Sequence, residues 1–413
     1  MPRQRVVITG IGAVTPAGLS ATESFRNLAA GRSFTRLVSP AELDWPARYR
    51  IDAGELFPAA PVAAEPLGTM DHQLTRLSRM ALSEALAQSG WTAADRGAAG
   101  LSLGASKGDL SCPEEIARVM PGDPAVCLGS EFGFGAGWIA PVAACATGLI
   151  AVGQAWERIN WGDWTRAAAG GVDSSLHPGL VSSYRRLGVL SRERTDGGIA
   201  CRPFDESRSG FAVGEGAGTV ILESADVASR RGAIPLAEIT GYALRSDAAG
   251  PLQLPTRPDA LSAAIRQSLR IAAIPETEID AISLHGTGTM ANDRLEAAAL
   301  RQVFGDRIDS IPAWSCKGAI GHLLGASGAV ELAMLVEALR NGVVPPTVNL
   351  RNPSPDCGLG HVIGMARPGT FRTGLKIALG FGGHCAAMVV SVPPGFHENL
   401  AAAKKAGGRR RVS

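Results

Sequence analysis

The feature that most constrains this chain is an alternation of strands and helices that runs through it twice. In the first series, apolar runs predict strands at Arg5–Thr9, centred on Val6-Val-Ile8, and at Gly100–Gly104 and Arg166–Gly171. Apolar residues recurring every three to four positions predict helices over Ser20–Ala30, Asp71–Ser89 and from Ala146 to about Ile159. The second series begins near Pro235. It predicts strands at Leu236–Ile239, Ile279–Leu284, Ala313–Ser315, Leu375–Leu379 and Ala386–Val392, with helices at Asp259–Ile274, Arg294–Phe304 and Ser327–Leu339. Continuous apolar strands belong to parallel-rich sheets covered on both faces. The expected class is therefore α/β, in two pseudo-repeated halves spanning residues 1–233 and 234–397.

Between these elements, residues 33–70 read as an irregular surface excursion, and 106–140 as loop with one short helix near 114–119. Phe211–Leu222 reads as a strand pair or a bulged strand. Residues 398–413 carry Lys404, Lys405, Arg409, Arg410 and Arg411 with no acid after Glu398. They read as a disordered solubilising tail, with a tether for an acidic partner as the alternative.

Composition closes several functional classes. A net charge of +2 on 413 residues argues against nucleic-acid binding. The seven cysteines are scattered and form no CxxC pair, so neither a disulfide framework nor a metal site is expected. No secretory leader and no run of 18 apolar residues is present, so the expectation is a cytoplasmic protein with no membrane span. Gly10-Ile-Gly12 after the first strand resembles half of a dinucleotide fingerprint. The third glycine is replaced by Thr15, and a tight turn is the preferred reading.

The chemistry gathers in four stretches. Pro141-Val-Ala-Ala-Cys-Ala-Thr-Gly148 reads as a strand running into Cys145, followed by a helix whose free N–H groups favour a thiolate. Small neighbours leave room for a substrate. Leu284-His-Gly-Thr-Gly-Thr289 lies at the C-terminal end of a strand, where ligand sites of α/β sheets collect. There His285 can exchange a proton, and Thr287 and Thr289 can hydrogen-bond an amide-bearing arm. Lys317 through Glu331 places His322 in a glycine-rich turn. Glu331 sits in an apolar helix and needs a buried partner, for which Lys317 is the best candidate. Gly380-Phe-Gly-Gly-His384 is a turn whose N–H groups can line a site, with Phe381 as a gate. His177, His361 and His397 read as structural or exposed. Asp293 and Glu296, three apart at a helix start, read as a capping-box-like pair. Asp293 has a further option, to hold a neighbouring backbone or Lys317.

Together these stretches resemble the β-ketoacyl-acyl-carrier-protein synthases, elongating condensing enzymes of the thiolase superfamily. Further carriers of the resemblance are Val6 to Pro16, Arg202-Pro-Phe-Asp205 and Gly214-Glu-Gly216, all in family order. The resemblance implies a thiolase-like fold of two βαβαβαββ halves in five α-β-α-β-α layers. It implies that Cys145 takes the acyl group and that His285 and His322 assist decarboxylation of a malonyl thioester. It places the oxyanion hole at the N–H groups of Cys145 and Phe381. Thr287, Thr289, Gly382 and Gly383 would hold pantetheine; Lys317 would join the catalytic set, setting the local field and orienting the histidines, with Glu331 and Asp293 in support. It implies no cofactor beyond phosphopantetheine brought by acyl carrier protein, and a homodimer or ketosynthase heterodimer. Two departures stand out. The segment before Cys145 is shorter than is usual in the family, and His384-Cys385 replace its usual Thr-Asn. They point to a secondary-metabolite synthase. The alternatives are a thiolase-like acyl transferase using Cys385, and a non-elongating partner subunit, which typically lacks the nucleophile. Arg202, Arg208, Lys317 and the tail suggest a surface for an acidic carrier.

Overall fold

A computed structural model describes residues 3–43, 45, 56–62, 73–110, 115–253, 255 and 257–393. The strands of the first half are β1 (Val6–Val14), β2 (Arg36–Val38), β3 (Phe57–Ala60), β4 (Gly100–Ala105), β5 (Trp138–Ile139), β6 (Arg166–Ser174) and β7 (Val213–Ser224). Those of the second are β8 (Ala237–Ser246), β9 (Ala281–Ser283), β10 (Ala313–Trp314), β11 (Val343–Val344), β12 (Arg367–Pro368), β13 (Thr373–Gly380) and β14 (His384–Ser391). The first-half helices are α1 (Ala21–Ala29), α2 (Gln73–Ser89), α3 (Ala93–Gly97), α4 (Ile116–Val119), α5 (Asp123–Phe132), α6 (Thr147–Trp161), α7 (Pro178–Arg186) and α8 (Ala225–Arg230). The second half contributes α9 (Asp259–Ala272), α10 (Met290–Phe304), α11 (Lys317–Ile320) and α12 (Ser327–Asn341).

The sheet order β10-β9-β13-β14-β8-β1-β7-β6-β4-β5 is two copies of one pattern joined at β1–β8. Each copy runs edge, parallel neighbour, parallel neighbour, then two antiparallel strands. Thus β5-β4-β6-β7-β1 corresponds strand for strand to β10-β9-β13-β14-β8. Helices α6 and α12 share one apolar cluster with strands of both copies, including Ala169, Val220, Ala378 and Met388. Outside the first copy lie α2 and α5, through Leu82, Leu86 and Leu128. Outside the second lie α9 and α10, through Ile265 and Leu300. The layers are therefore α-β-α-β-α, and the central helices are the least solvated. Every residue from Ser327 to Leu339 is buried.

Several local expectations are corrected. Gly10 and Gly12 form no turn, because β1 continues through them to Val14. They let α2 come close: a Cβ on Gly12 would meet the Ala81 carbonyl oxygen at 2.0 Å, and one on Gly10 that of Ala85 at 2.2 Å. The 33–70 excursion contains the pair β2–β3, with β3 alongside β7. Segment 106–140 holds a second helix, α5. β7 is one unbroken strand. No strand runs into Cys145: β5 ends at Ile139, and Cys145 lies in a 3₁₀ turn over Ala144–Ala146. His72, His397 and residues 398–413 lie outside the described residues.

Candidate active site

Two matching turns build the site. In Ala144-Cys-Ala-Thr-Gly148, Ala144 adopts φ +48° ahead of α6. In the twin position Leu324-Gly-Ala-Ser-Gly328, Leu324 adopts φ +46° ahead of α12. Left-handed backbone at a residue with a Cβ costs on the order of 1–3 kcal/mol and persists only where surroundings fix it. Here Thr147 does so: its hydroxyl accepts from the Ala143 N–H at 2.8 Å and donates to the Ala144 carbonyl at 2.7 Å. At the twin turn Ser327 lies 3.0 Å from His322 Nδ1 instead. The two helices meet at glycines, where a Cβ on Gly328 would strike the Leu149 nitrogen at 2.6 Å.

A cavity of about 720 Å³ opens over these turns. Cys145, His285, His322 and Phe381 all line it, as do Thr287 and Thr289, whose hydroxyls are 2.9 Å apart. Gly380 brings the β13–β14 turn onto the cysteine turn: a Cβ there would lie 2.5 Å from the Ala143 carbonyl oxygen. Gly382 and Gly383 lie beyond, with φ +86° and +85°, and are not among the lining residues. His384 starts β14 and is also outside the lining.

The imidazoles stand edge to face, centroids 5.5 Å apart and planes at 83°. The Leu324 N–H donates to His322 Nδ1 at 3.2 Å. Nδ1 is thus an acceptor, and the neutral ring carries its proton on Nε2. Lys317 Nζ lies 3.5 Å from His285 Nδ1, and an ammonium can only donate, so His285 takes the same tautomer. Burial, then the charge of Lys317, holds both imidazoles well below the usual histidine range. Two neutral rings therefore each present an Nε2–H.

Burial also pushes the Cys145 thiol up to about 12, with Lys317 and Lys107 pulling the other way and Asp173 adding to the rise. Removing water from the sulfur thus opposes the thiolate that the helix N-terminus is expected to favour.

Lys317 is behind the site rather than in it. Its Nζ pairs with Glu331 Oε1 at 2.5 Å and donates to the His285 carbonyl, as the sequence expected for Glu331. Asp293 does not reach toward Lys317. Its carboxylate accepts from the N–H groups of Phe204, Thr287 and Gly288 and sits 3.5 Å from Arg208. Glu296 is no helix cap: it accepts from the N–H groups of His285 and Gly286 at 2.5 and 2.7 Å, and burial raises its carboxyl to about 7. Together the two acids clamp the His285-Gly-Thr-Gly turn.

Four contributors escaped the sequence reading. Asp173, on β6, accepts from Lys107 at 2.7 Å, from Ser175 at 2.6 Å, from Ser106 and from the Gly325 N–H at 3.1 Å. It ties the cavity wall to the turn after His322. Phe211 stands edge-on to His322, and Tyr184 completes the lining. Lys376 also pairs with Glu331. The proposed carrier surface needs correction: Arg208 and Lys317 are buried, and Arg202 is paired to Glu193 at 2.6 Å. Arg192 is the exposed cation on the cavity rim, with Arg186 and Arg194 exposed nearby in sequence.

Residues 3–228 match the profile of the β-ketoacyl synthase N-terminal domain, and residues 236–351 that of the β-ketoacyl synthase C-terminal domain. The chain belongs to the β-ketoacyl synthase family. Among related β-ketoacyl synthases, a granaticin polyketide putative β-ketoacyl synthase 1 of Streptomyces violaceoruber is 35% identical, over 94% of this chain and 99% of its own. A 3-oxoacyl-[acyl-carrier-protein] synthase 2 of Mycobacterium tuberculosis is 31% identical, over 93% and 96%. A type II polyketide synthase acyl-carrier protein in complex with its ketosynthase bound to the hexaketide superposes with TM-score 0.86 at 27% identity, covering 95% and 100%. The ishigamide ketosynthase/chain length factor superposes with TM-score 0.83 at 29% identity, covering 95% and 100%. This family membership and the observed layers agree with the expected fold and condensing-enzyme class. Among the described residues no helix is long and apolar enough to cross a membrane.

Proposed function

We propose that the chain is a 3-oxoacyl-[acyl-carrier-protein] synthase of polyketide or fatty-acid type, with Cys145 as nucleophile and His285 and His322 as enolate donors. The observation that carries this is the pair of neutral Nε2–H imidazoles sharing one cavity with a reachable cysteine. A thioester suits a soft sulfur nucleophile. Cys145 exchanges with the acyl thioester, and its proton leaves on the thiol of the departing carrier. Malonyl carrier then loses carbon dioxide. The electron pair left behind delocalises onto the thioester oxygen, where the two Nε2–H donors stabilise it without a metal. The carbanion attacks the acyl–Cys145 carbonyl, whose oxyanion faces the N–H groups of Cys145 and Phe381. Collapse releases 3-oxoacyl carrier and the cysteine sulfur, which takes up a proton. Losing one such donor typically costs about 2.7–4 kcal/mol.

Phosphopantetheine arrives on the carrier protein, its amides within reach of Thr287 and Thr289, with Gly382 and Gly383 flanking the entry. Lys317, Glu331 and Asp293 support the histidines. The residue division at 233/234, a cytoplasmic location and a two-chain assembly belong to the same reading. The strand-for-strand correspondence of the two halves supports the first, and the relatives solved with a carrier protein or a chain length factor support the last. The test is incubation with octanoyl- and malonyl-loaded carrier, read by intact mass. A carrier product longer by one acetyl-derived unit, absent with Cys145→Ala, supports it. No acylation of Cys145 and no decarboxylation with any chain length favours the partner-subunit alternative.

A further inference from the structure

Lys376 has no part in the reaction as described, yet it is fully buried. Along β13, Leu375, Ile377 and Leu379 face the outer cluster, while Ala378 faces the central one. Lys376 takes the side of Ala378 and enters the central layer where the strand's pattern calls for a small or apolar residue. Its Nζ lies 2.6 Å from Glu331 Oε2, the oxygen opposite the one held by Lys317. It also donates to the carbonyls of Ser283 at 3.3 Å and Leu284 at 3.1 Å, the two residues ahead of His285. The backbone repeats the link, since Lys376 is in register with Ser283 in the parallel ladder.

One carboxylate between two buried ammonium groups is a costly way to fill space. An apolar side chain of similar volume often serves a core as well or better. We propose that Lys376 is a positioning residue for the condensation: it pins the end of β9 that carries His285 and sets a second positive charge behind that imidazole. This rests on His285 acting as a neutral donor. Around Lys376 stand Glu331 of α12, Lys317 of α11, Glu296 of α10 and the Cys316 thiol. His285 faces Lys317, His322 and Lys376, and once burial has acted the charges of the two lysines oppose its protonation.

Removing the Lys376 charge makes His285 easier to protonate, so activity is lost at higher pH on the acid side. The experiment uses the full chain and its Lys376→Met and Lys376→Arg variants. It follows malonyl-carrier decarboxylation against pH, with Cys145 acylation as the parallel readout. In Lys376→Met the acid limb moves up by roughly half a pH unit or more, acylation is retained, and Lys376→Arg restores the limb. The His285 imidazole, titrated by NMR in histidine-labelled protein and assigned with His285→Gln, moves the same way without turnover. An unmoved limb and an unmoved imidazole titration in Lys376→Met overturn the proposal. So does an equal loss of rate at every pH in both variants, which marks packing alone. If Lys376→Met fails to fold, Lys376→Gln makes the same test. If the unmodified protein decarboxylates nothing, the condensation reading fails, and the imidazole titration still decides the role of Lys376.

Discussion

At the scale of single residues, burial governs the site more than nearby charge does. His322 is neutral because water is excluded, which ties folding to pH. Unfolded, an imidazole takes up a proton near 6.5. Folded, His322 does so only well below that. As pH falls through 6.5 the unfolded state therefore binds the extra proton, and stability is lost. His322→Gln removes this one contribution, so its loss of stability on acidification is shallower than that of the unmodified chain. The difference grows below 6.5 and approaches about 1.4 kcal/mol per pH unit from a unit below it, measured by urea unfolding at a series of pH values. Equal slopes would mean that His322 is not buried neutral. Truncation to His322→Ala removes the Nε2–H donor and should lower malonyl decarboxylation by about 10²–10³-fold. Acylation of Cys145, read by mass, survives it. Cys145, His285, His322 and Lys317 were legible because each stands in a glycine-rich turn or an otherwise apolar stretch. Glu296 was misread because its spacing from Asp293 fits a helix cap, whereas its partners are backbone groups ten and eleven positions earlier. Asp173 and Lys376 were missed because each lies inside a strand, where sequence periodicity says nothing of what crosses from another layer.

At the scale of elements, the turns before α6 and α12 are one device used twice. Both place a left-handed residue three positions before a hydroxyl-bearing first helical residue, and both put a glycine next in line. One copy presents the cysteine and the other carries the histidine turn, so the crossing of the two helices fixes the site's dimensions. Gly328→Ala pushes a methyl into the Leu149 backbone, and flexible side chains cannot absorb that clash. It should cost about 1–3 kcal/mol in urea unfolding, the usual range for overpacking. It should also slow alkylation of Cys145 by iodoacetamide, because the cysteine turn shifts with α6. Gly97→Ala is the control: its Cβ meets nothing within 4 Å, and both readouts should stay unchanged. The sequence showed where these helices begin to within a residue or two. It did not show the 3₁₀ turns, because a residue with a Cβ at positive φ has no compositional signature. It missed β2 and β3 for a related reason, as strands of three and four residues are too short for periodicity to register.

At the scale of the whole molecule, the duplication predicts an interface. The edge strands β5 and β10 are twins, but their surroundings differ. β10 is fully buried, and the Gly360–Val362 segment bonds to Ala313 and closes that edge. Among the described residues, β5 pairs only with β4. On it and just after it Trp138 and Val142 are exposed, at 43 and 54% of their surface, and the α4–α5 segment ahead of it exposes Ile116, Met120 and Val126. An open strand edge ringed by apolar side chains is a template for pairing with another chain. The occupant that fits best is β5 of a second copy, because a two-fold axis presents the same patch to itself. This strand ends six residues before Cys145, so pairing there also braces the cysteine turn. The chain should sediment as a dimer at micromolar concentration. Trp138→Glu combined with Val142→Glu should sediment as a monomer, since two carboxylates per chain would otherwise be desolvated against their own copies. Its Cys145 acylation should fall as well, because the turn loses its brace. A dimer that survives both charges would place the contact elsewhere. An unmodified chain that stays monomeric until a related ketosynthase-like chain is added would make that chain the occupant of the edge.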